Sequence, residues 1–102
     1  MMIRVFKVEG TSMFPTLNQG DFVIASLWFR RLMPNQLVIV KHPIYGTLVK
    51  RIQSVQPNDG FTLCGDNPES VSSEKMGLVK RQQIIGKVIY SVQQTKQATG
   101  VR

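Results

Sequence analysis

One serine and one lysine are the residues of this chain whose types and surroundings best support chemistry. Ser12 lies in a segment that Gly10 and Pro15 mark as turn-like, and Lys50 lies in a later apolar segment. A serine hydroxyl is a poor nucleophile at neutral pH and needs a base beside it, and a neutral lysine amine can be that base. The pair therefore predicts a catalytic Ser/Lys dyad.

The pattern around Lys50 predicts a strand that could prepare the lysine for this role. Side chains alternate along a strand, so Lys50 shares one face with Leu48 and Ile52. If that face packs inward, desolvation disfavours the ammonium form and lowers the lysine pKa from its ordinary value of about 10.4. The alternative is a lysine that extends to the surface from a half-buried strand.

The elements that must position these residues are predicted to be almost entirely strands. Short β-branched and aliphatic segments alternate with Gly, Pro and Asn clusters, and no helical apolar stripe runs over three turns. We therefore predict an all-β fold, a small rolled or barrel-like antiparallel sheet with at most one short helical turn, at 16–19. The predicted strands are 3–8, 22–26, 36–40, 47–55, 61–64 and 84–92. Residues 1–92 are expected to form one domain, and residues 93–102 a polar, disordered tail.

Composition excludes several classes of protein. Thirteen basic and six acidic residues give a net charge of +7, but the positive charges are dispersed. The single cysteine, Cys64, excludes an internal disulfide framework. With one histidine, His42, it also falls short of the four ligands of a structural zinc site, so we expect neither a metal nor a cofactor. His42 beside Pro43 is better explained as a polar turn residue than as the base of a triad.

Four motifs follow one another along the chain. They are Ser12-Met13-Phe14-Pro15-Thr16-Leu17, Gly20-Asp21-Phe22-Val23, Leu48-Val49-Lys50-Arg51, and Gly65-Asp66-Asn67 followed by Ser70 and Gly77. In this order they resemble the motifs of type I signal peptidases, the Ser/Lys proteases, over roughly residues 8–90. The Gly-Asp and lysine motifs also resemble those of self-cleaving repressor proteases, but the Gly-Asp-Asn motif favours the signal peptidases.

The resemblance implies roles for individual residues. Ser12 would be the nucleophile, with its backbone N–H in the oxyanion hole, and Lys50 the general base. Ser70 would orient the lysine amine, with Ser72 and Ser73 left open as alternatives. Many family members carry a hydroxyl two residues before the nucleophile, where this chain has Gly10. A lost oxyanion donor is worth about 3 kcal/mol, so slower catalysis is expected.

The resemblance also implies a precursor protein or peptide as substrate, bound as an extended strand. It would lie between the segment that leads into Ser12 and the strand that leads into Lys50, with small residues before the scissile bond. The substrate-binding residues expected on this basis are Glu9, Gly10, Thr11, Met13, Phe14, Leu48 and Val49.

The printed chain has no apolar run near the roughly 20 residues of a membrane span. We therefore expect a soluble, cytoplasmic enzyme that removes an N-terminal leader from one precursor. Short anchorless proteins of the family include maturation proteases of nickel-type superoxide dismutase. The alternative is a membrane-associated signal peptidase whose anchor precedes the printed residues, with peripheral contact through Leu27, Trp28 and Phe29 beside Arg30-Arg31.

A non-catalytic function is the alternative hypothesis to an enzymatic one. A small basic β-barrel could bind a protein partner, or could bind nucleic acid by stacking bases on Phe6, Phe22 or Tyr45. No recognisable RNA-binding motif surrounds these aromatic residues, so no specific nucleic acid is expected.

Overall fold

A single antiparallel sheet dominates the computed structural model, which describes residues 2–70 and 72–93, apart from the side chains of Asp59 and Ser73. One α-helical turn, α1, spans Ser73–Met76, and two short 3-10 turns span Pro57–Asp59 and Arg81–Gln83. The predicted all-β class is confirmed. The strands are β1 (Ile3–Lys7), β2 (Phe22–Ser26), β3 (Leu37–His42), β4 (Gly46–Gln56), β5 (Gly60–Cys64), β6 (Val79–Lys80) and β7 (Ile84–Val92).

The strand order is β1-β2-β7-β3-β4-β5-β6, and each neighbouring pair is antiparallel. Strand β4 changes partners along its length. It pairs with β3 from Gly46 to Arg51, and with β5 from Arg51 to Gln56. Within the described residues, no strand pairs with the other edge of residues 46–50, so this stretch of backbone is open on one side.

The two faces of β4 contact two different hydrophobic cores. Lys50 pairs with Val38 and therefore shares the face of the first core, whereas Val49 pairs with Ile39 and packs on the second. The first core comprises Leu32, Val38, Val40, Ile52, Phe61, Leu63, Met76, Val79 and Ile84. The second comprises Val8, Met13, Leu17, Val23, Ala25 and Ile39.

Local details differ from the sequence prediction at two places. Residues 16–19 are turn and bend rather than helix, and the one helical turn is α1 instead. Leu17 N nevertheless donates to Met13 O at 2.9 Å, the spacing of a single α-turn. Strand β6 has only two residues, too few to leave a periodic signal. Of the predicted tail, residues 94–102 lie outside the described residues, so the domain division stays a prediction.

Candidate active site

A cavity of about 400 Å³ brings Ser12, Lys50 and Ser70 together. These residues come from the loop after β1, from the middle of β4 and from the loop after β5, so the fold unites three distant parts of the sequence. The remaining lining residues are Glu9, Gly10, Thr11, Tyr45, Leu48, Asn67 and Glu69.

Lys50 is the most unusual residue of this cavity because it is only 2% exposed. It lies between Leu48 and Ile52 on the face of the first core, as its strand position predicts. Desolvation lowers its pKa below the ordinary value of 10.5, and the nearby Cys64 thiol acts more weakly in the opposite direction. The described side chains give Lys50 Nζ no hydrogen bond and no ion pair. An amine in these surroundings loses its proton more readily than a surface lysine.

Two core residues anchor the loop that carries Ser12. Met13 and Leu17, 1% and 2% exposed, insert into the second core, while Ser12 itself is half-buried. A backbone hydrogen bond from Phe14 N to Thr11 O, at 3.0 Å, closes the turn over the serine. Gly10 has φ +78°, a conformation that L side chains rarely adopt, so the chain enters this loop through a residue suited to glycine. The serine therefore sits on a fixed loop.

Asn67 connects the loop that carries Ser12 to the loop after β5. Its backbone N–H donates to Ser12 O at 2.9 Å, and its side-chain Nδ2 donates to Thr11 O at 2.9 Å. Its carbonyl accepts from Ser70 N at 2.9 Å. Because one residue contacts both loops, the positions of Ser12 and Ser70 are coupled.

Gly65 allows these two serines to approach each other. A Cβ at this position would lie 2.5 Å from Ser12 O and would overlap Ser70 Oγ. Real Cβ contacts essentially never fall below 3.0 Å, so only glycine fits without movement of a neighbour. The glycine of the Gly65-Asp66-Asn67 motif is thus explained by close packing at the site.

Asp66 connects β4 to the loop that carries Ser12 through side-chain contacts. Arg51 Nε and Nη2 donate to its two carboxylate oxygens at 2.8 and 2.7 Å, and Thr16 Oγ1 donates to Oδ2 at 2.5 Å. The hydrogen bonds from Arg51 lower the pKa of Asp66, and that from Thr16 adds to the effect. Arg51 directly follows Lys50 on β4, so this network holds β4 against the loop that carries Ser12. No pattern in the sequence indicated this network.

A smaller cavity of about 90 Å³ adjoins the first and shares Glu9, Ser12 and Leu48 with it. Residues 6–9 line one part of it and residues 47–49 another. Its walls are largely apolar and include Phe6, Val8, Val23, Ile39 and Val49. The space beside Ser12 therefore suits a small apolar side chain.

The structure divides the expected substrate-binding residues between the two cavities, the second core and the surface. Glu9, Gly10, Thr11 and Leu48 line the larger cavity, and Val49 lines the smaller one. The Met13 side chain lies in the second core instead, so it is not available to touch a substrate. Phe14 is 51% exposed and lies outside the lining of both cavities.

The three serines considered as partners of Lys50 are also separated by the structure. Ser70 lines the cavity, whereas Ser72 Oγ accepts from Lys75 N at 3.2 Å at the start of α1. The side chain of Ser73 lies outside the described part. Ser70, and not Ser72, therefore lines the cavity that contains Lys50.

His42 is a structural residue in this fold. Its Nδ1 accepts from Ile44 N at 3.0 Å and from Tyr45 N at 3.2 Å, and its Nε2 lies 3.0 Å from Met76 O. It stabilises the turn between β3 and β4, which carries Tyr45 into the cavity. Tyr45, Asn67 and Glu69 are lining residues that sequence reasoning did not assign to the site, because turn residues carry no periodic signal.

The family model described as Peptidase S24-like matches residues 2–89. The chain belongs to this family. The match supports a serine peptidase within the superfamily of self-cleaving repressors and signal peptidases, and it specifies neither a signal peptidase nor a dismutase maturation protease. No curated protein matches the sequence. Within residues 2–70 and 72–93, no helix is long and apolar enough to cross a bilayer.

Proposed function

We propose that this Peptidase S24-like chain is a serine endopeptidase that uses Ser12 as nucleophile and Lys50 as general base to remove an N-terminal leader from a precursor protein. The observation that carries the proposal is the buried Lys50. Its pKa is lowered by desolvation, and it lines the same cavity as Ser12. A lysine buried without an ionic partner among the described side chains destabilises a fold, and such a cost is typical of functional sites.

The chemistry follows from the protonation state of Lys50. The neutral amine accepts the proton of Ser12 Oγ as the oxygen attacks the scissile carbonyl carbon. The resulting ammonium then donates this proton to the leaving amine, and an acyl-enzyme remains on Ser12. A water molecule, deprotonated in turn by Lys50, attacks the ester carbonyl and releases the acid. Ser70, in the same cavity, would hold the amine in its orientation.

The developing oxyanion requires donors from the backbone. The N–H of Ser12 would supply one hydrogen bond, and Gly10 offers no hydroxyl at the position where many relatives of the resembled family have one. The hydrogen bond from Asn67 Nδ2 to Thr11 O supports this role, because it fixes the peptide plane that contains the Ser12 N–H. A fixed donor stabilises charge without reorganisation.

The open edge of β4 supports binding of the substrate as an extended strand. Residues 46–50 have one edge without a strand partner among the described residues, and Leu48 and Lys50 line the cavity from this stretch. A substrate strand paired there would gain backbone hydrogen bonds, and its side chains would alternate between pockets. The smaller cavity would then select a small apolar residue near the scissile bond.

As precursor we propose that of a nickel-type superoxide dismutase, processed in the cytoplasm. This substrate rests on the signal peptidase resemblance of the motifs, and the family match leaves it open. Incubation of the purified chain with the dismutase precursor should release the leader, and Ser12→Ala and Lys50→Ala should each abolish release. Because the two residues act as a unit, the double variant should be scarcely worse than either single variant.

The same incubation separates three outcomes. Release of the leader in trans supports the full proposal. Cleavage of other peptides after small residues, without cleavage of this precursor, would retain the peptidase and reject the substrate. Cleavage only within the chain itself would point to the self-cleaving branch of the superfamily instead.

A further inference from the structure

A second groove, larger than the catalytic cavity, shares none of its lining residues. Its volume is about 1010 Å³, at the upper end of the range for ligand pockets. It is formed where the chain leaves β2, together with the turns before β5 and after β6. The lining residues are Leu27, Trp28, Phe29, Arg30, Asn58, Lys80, Arg81 and Gln82.

Positive charge dominates the described side chains of this groove. Arg30, Lys80 and Arg81 line it, and no described lining residue is a carboxylate. The described part of the chain holds Arg51 in an ion pair with Asp66, but neither Arg30 nor Lys80 in one. Both of these side chains are exposed. Two cations are therefore available to an anionic ligand.

Arg81 builds the wall of the groove. Its Nη2 donates to the carbonyl oxygens of Phe29, at 3.2 Å, and of Arg30. Its guanidinium carbon lies 5.2 Å from the centroid of the Phe29 ring, a cation–π contact. Phe29 in turn packs against the first core. The segment 29–30 is thus held in place by Arg81.

Trp28 presents a large aromatic surface to the groove. It is 66% exposed, although its backbone is held on both sides by one hydroxyl. Ser26 Oγ donates to Trp28 O at 2.7 Å and accepts from Trp28 N at 3.3 Å. A fixed backbone with an exposed indole beside two free cations provides a stacking platform next to phosphate-binding groups.

We propose that this groove binds single-stranded nucleic acid. A base stacks on Trp28, the flanking phosphates contact Arg30 and Lys80, and the side-chain amides of Asn58 and Gln82 can meet base edges. A bilayer would require several exposed apolar side chains, whereas Trp28 is the single exposed one among the apolar lining residues, and Leu27 and Phe29 are half-buried. An acidic peptide would use the two cations but leave the indole face without a planar partner. This site is independent of the proposed peptidase.

The chain contains a single tryptophan, so its intrinsic fluorescence reports directly on this groove. Titration with a twelve-residue oligothymidylate should quench the emission of Trp28. With two phosphate contacts, log K should fall with log salt with a slope of about −1.4, which is about a sevenfold loss of affinity between 50 and 200 mM salt. A slope near zero would overturn the proposal.

Variants separate stacking from charge, with binding followed by anisotropy of a labelled oligothymidylate. Trp28→Ala should weaken binding about tenfold, the loss typical of one stacked base. Arg30→Gln and Lys80→Gln should each weaken binding and each reduce the salt slope by about 0.7. Lys7→Gln is the matched control: Lys7 is exposed and pairs with Phe22, at the opposite end of β2 from the groove, so its loss should leave the slope unchanged.

Two further ligands complete the test. Vesicles of phosphatidylglycerol and polyglutamate should leave the tryptophan emission unchanged at moderate salt. A blue shift with vesicles but no quenching by oligothymidylate would overturn the proposal in favour of a lipid surface. A response to polyglutamate alone would favour an acidic peptide. Equal weakening by Lys7→Gln would show that binding depends only on nonspecific charge.

Discussion

Gly65→Ala should strongly reduce the proposed peptidase activity while leaving the chain folded. The added Cβ would lie 2.5 Å from Ser12 O, and contacts below 3.0 Å are essentially never found. Ser12 O must therefore move by at least about 0.5 Å, and by about 0.9 Å to reach ordinary contact at 3.4 Å. The carbonyl belongs to Ser12, the proposed nucleophile, so the displacement would act directly on the group that is proposed to react.

The magnitude follows from that displacement. A misplacement near 1 Å can cost about 100-fold in rate, so kcat/KM for a cleaved peptide should fall by roughly that factor. Overpacking of this kind costs about 1–3 kcal/mol of the free energy of unfolding, which guanidinium denaturation would measure. The free energy of unfolding of a single domain is about 5–15 kcal/mol, so the variant should stay folded while its activity falls.

Gly60→Ala provides a matched control for this substitution. The three atoms nearest to its Cβ would all belong to the Leu78 side chain, the closest at 2.8 Å, and Leu78 is 57% exposed and can rotate away. This variant should retain wild-type kcat/KM. If Gly65→Ala also retained it, the close packing of Ser12 and Ser70 would have no part in catalysis and the assigned site geometry would be wrong.

Other substitutions test separate parts of the account. Ser70→Ala should lower kcat with little change in the free energy of unfolding. Ser72→Ala should remove the first-turn contact of α1, reduce the free energy of unfolding by at most about 1 kcal/mol and leave kcat unchanged. Kinetics and denaturation of both variants would check these results. Arg51→Met should reduce the free energy of unfolding by about 1 kcal/mol at neutral pH. Because the pKa of Asp66 is lowered from 3.8, this difference should persist above pH 3.8 and vanish as the pH falls through the folded-state pKa; a constant difference down to pH 2 would contradict the pairing. Lys50→Met should raise the free energy of unfolding at neutral pH, because desolvation disfavours the ammonium form of the buried amine. The gain should shrink as the pH rises toward 10.5.

The strands and the burial of Lys50 could be predicted because both depend on local pattern. The alternation Leu48, Lys50, Ile52 correctly placed the lysine on an inward face, and the breaker clusters correctly separated most strands. The order of the sheet was not predictable, because β7 inserts between β2 and β3 and no local signal encodes such pairing.

The contacts that assemble the site were largely hidden in the sequence. Met13 looked like a substrate contact because it adjoins Ser12, but the turn directs it into the second core. Asn67 and Asp66 act through partners more than 14 positions away, Thr11, Thr16 and Arg51. Such pairs follow from tertiary packing, and a single sequence records only the residue types that permit them.

The most direct test of the dyad is the pH dependence of acylation by a serine-reactive β-lactone, followed by intact mass and mapped by peptide mass spectrometry. The account predicts a single adduct on Ser12, formed at a rate that rises with pH to a midpoint well below 10.5, and no adduct in Lys50→Met. An adduct on another serine, a midpoint near 10.5, or equal acylation of Lys50→Met would contradict the claim that Lys50 activates Ser12.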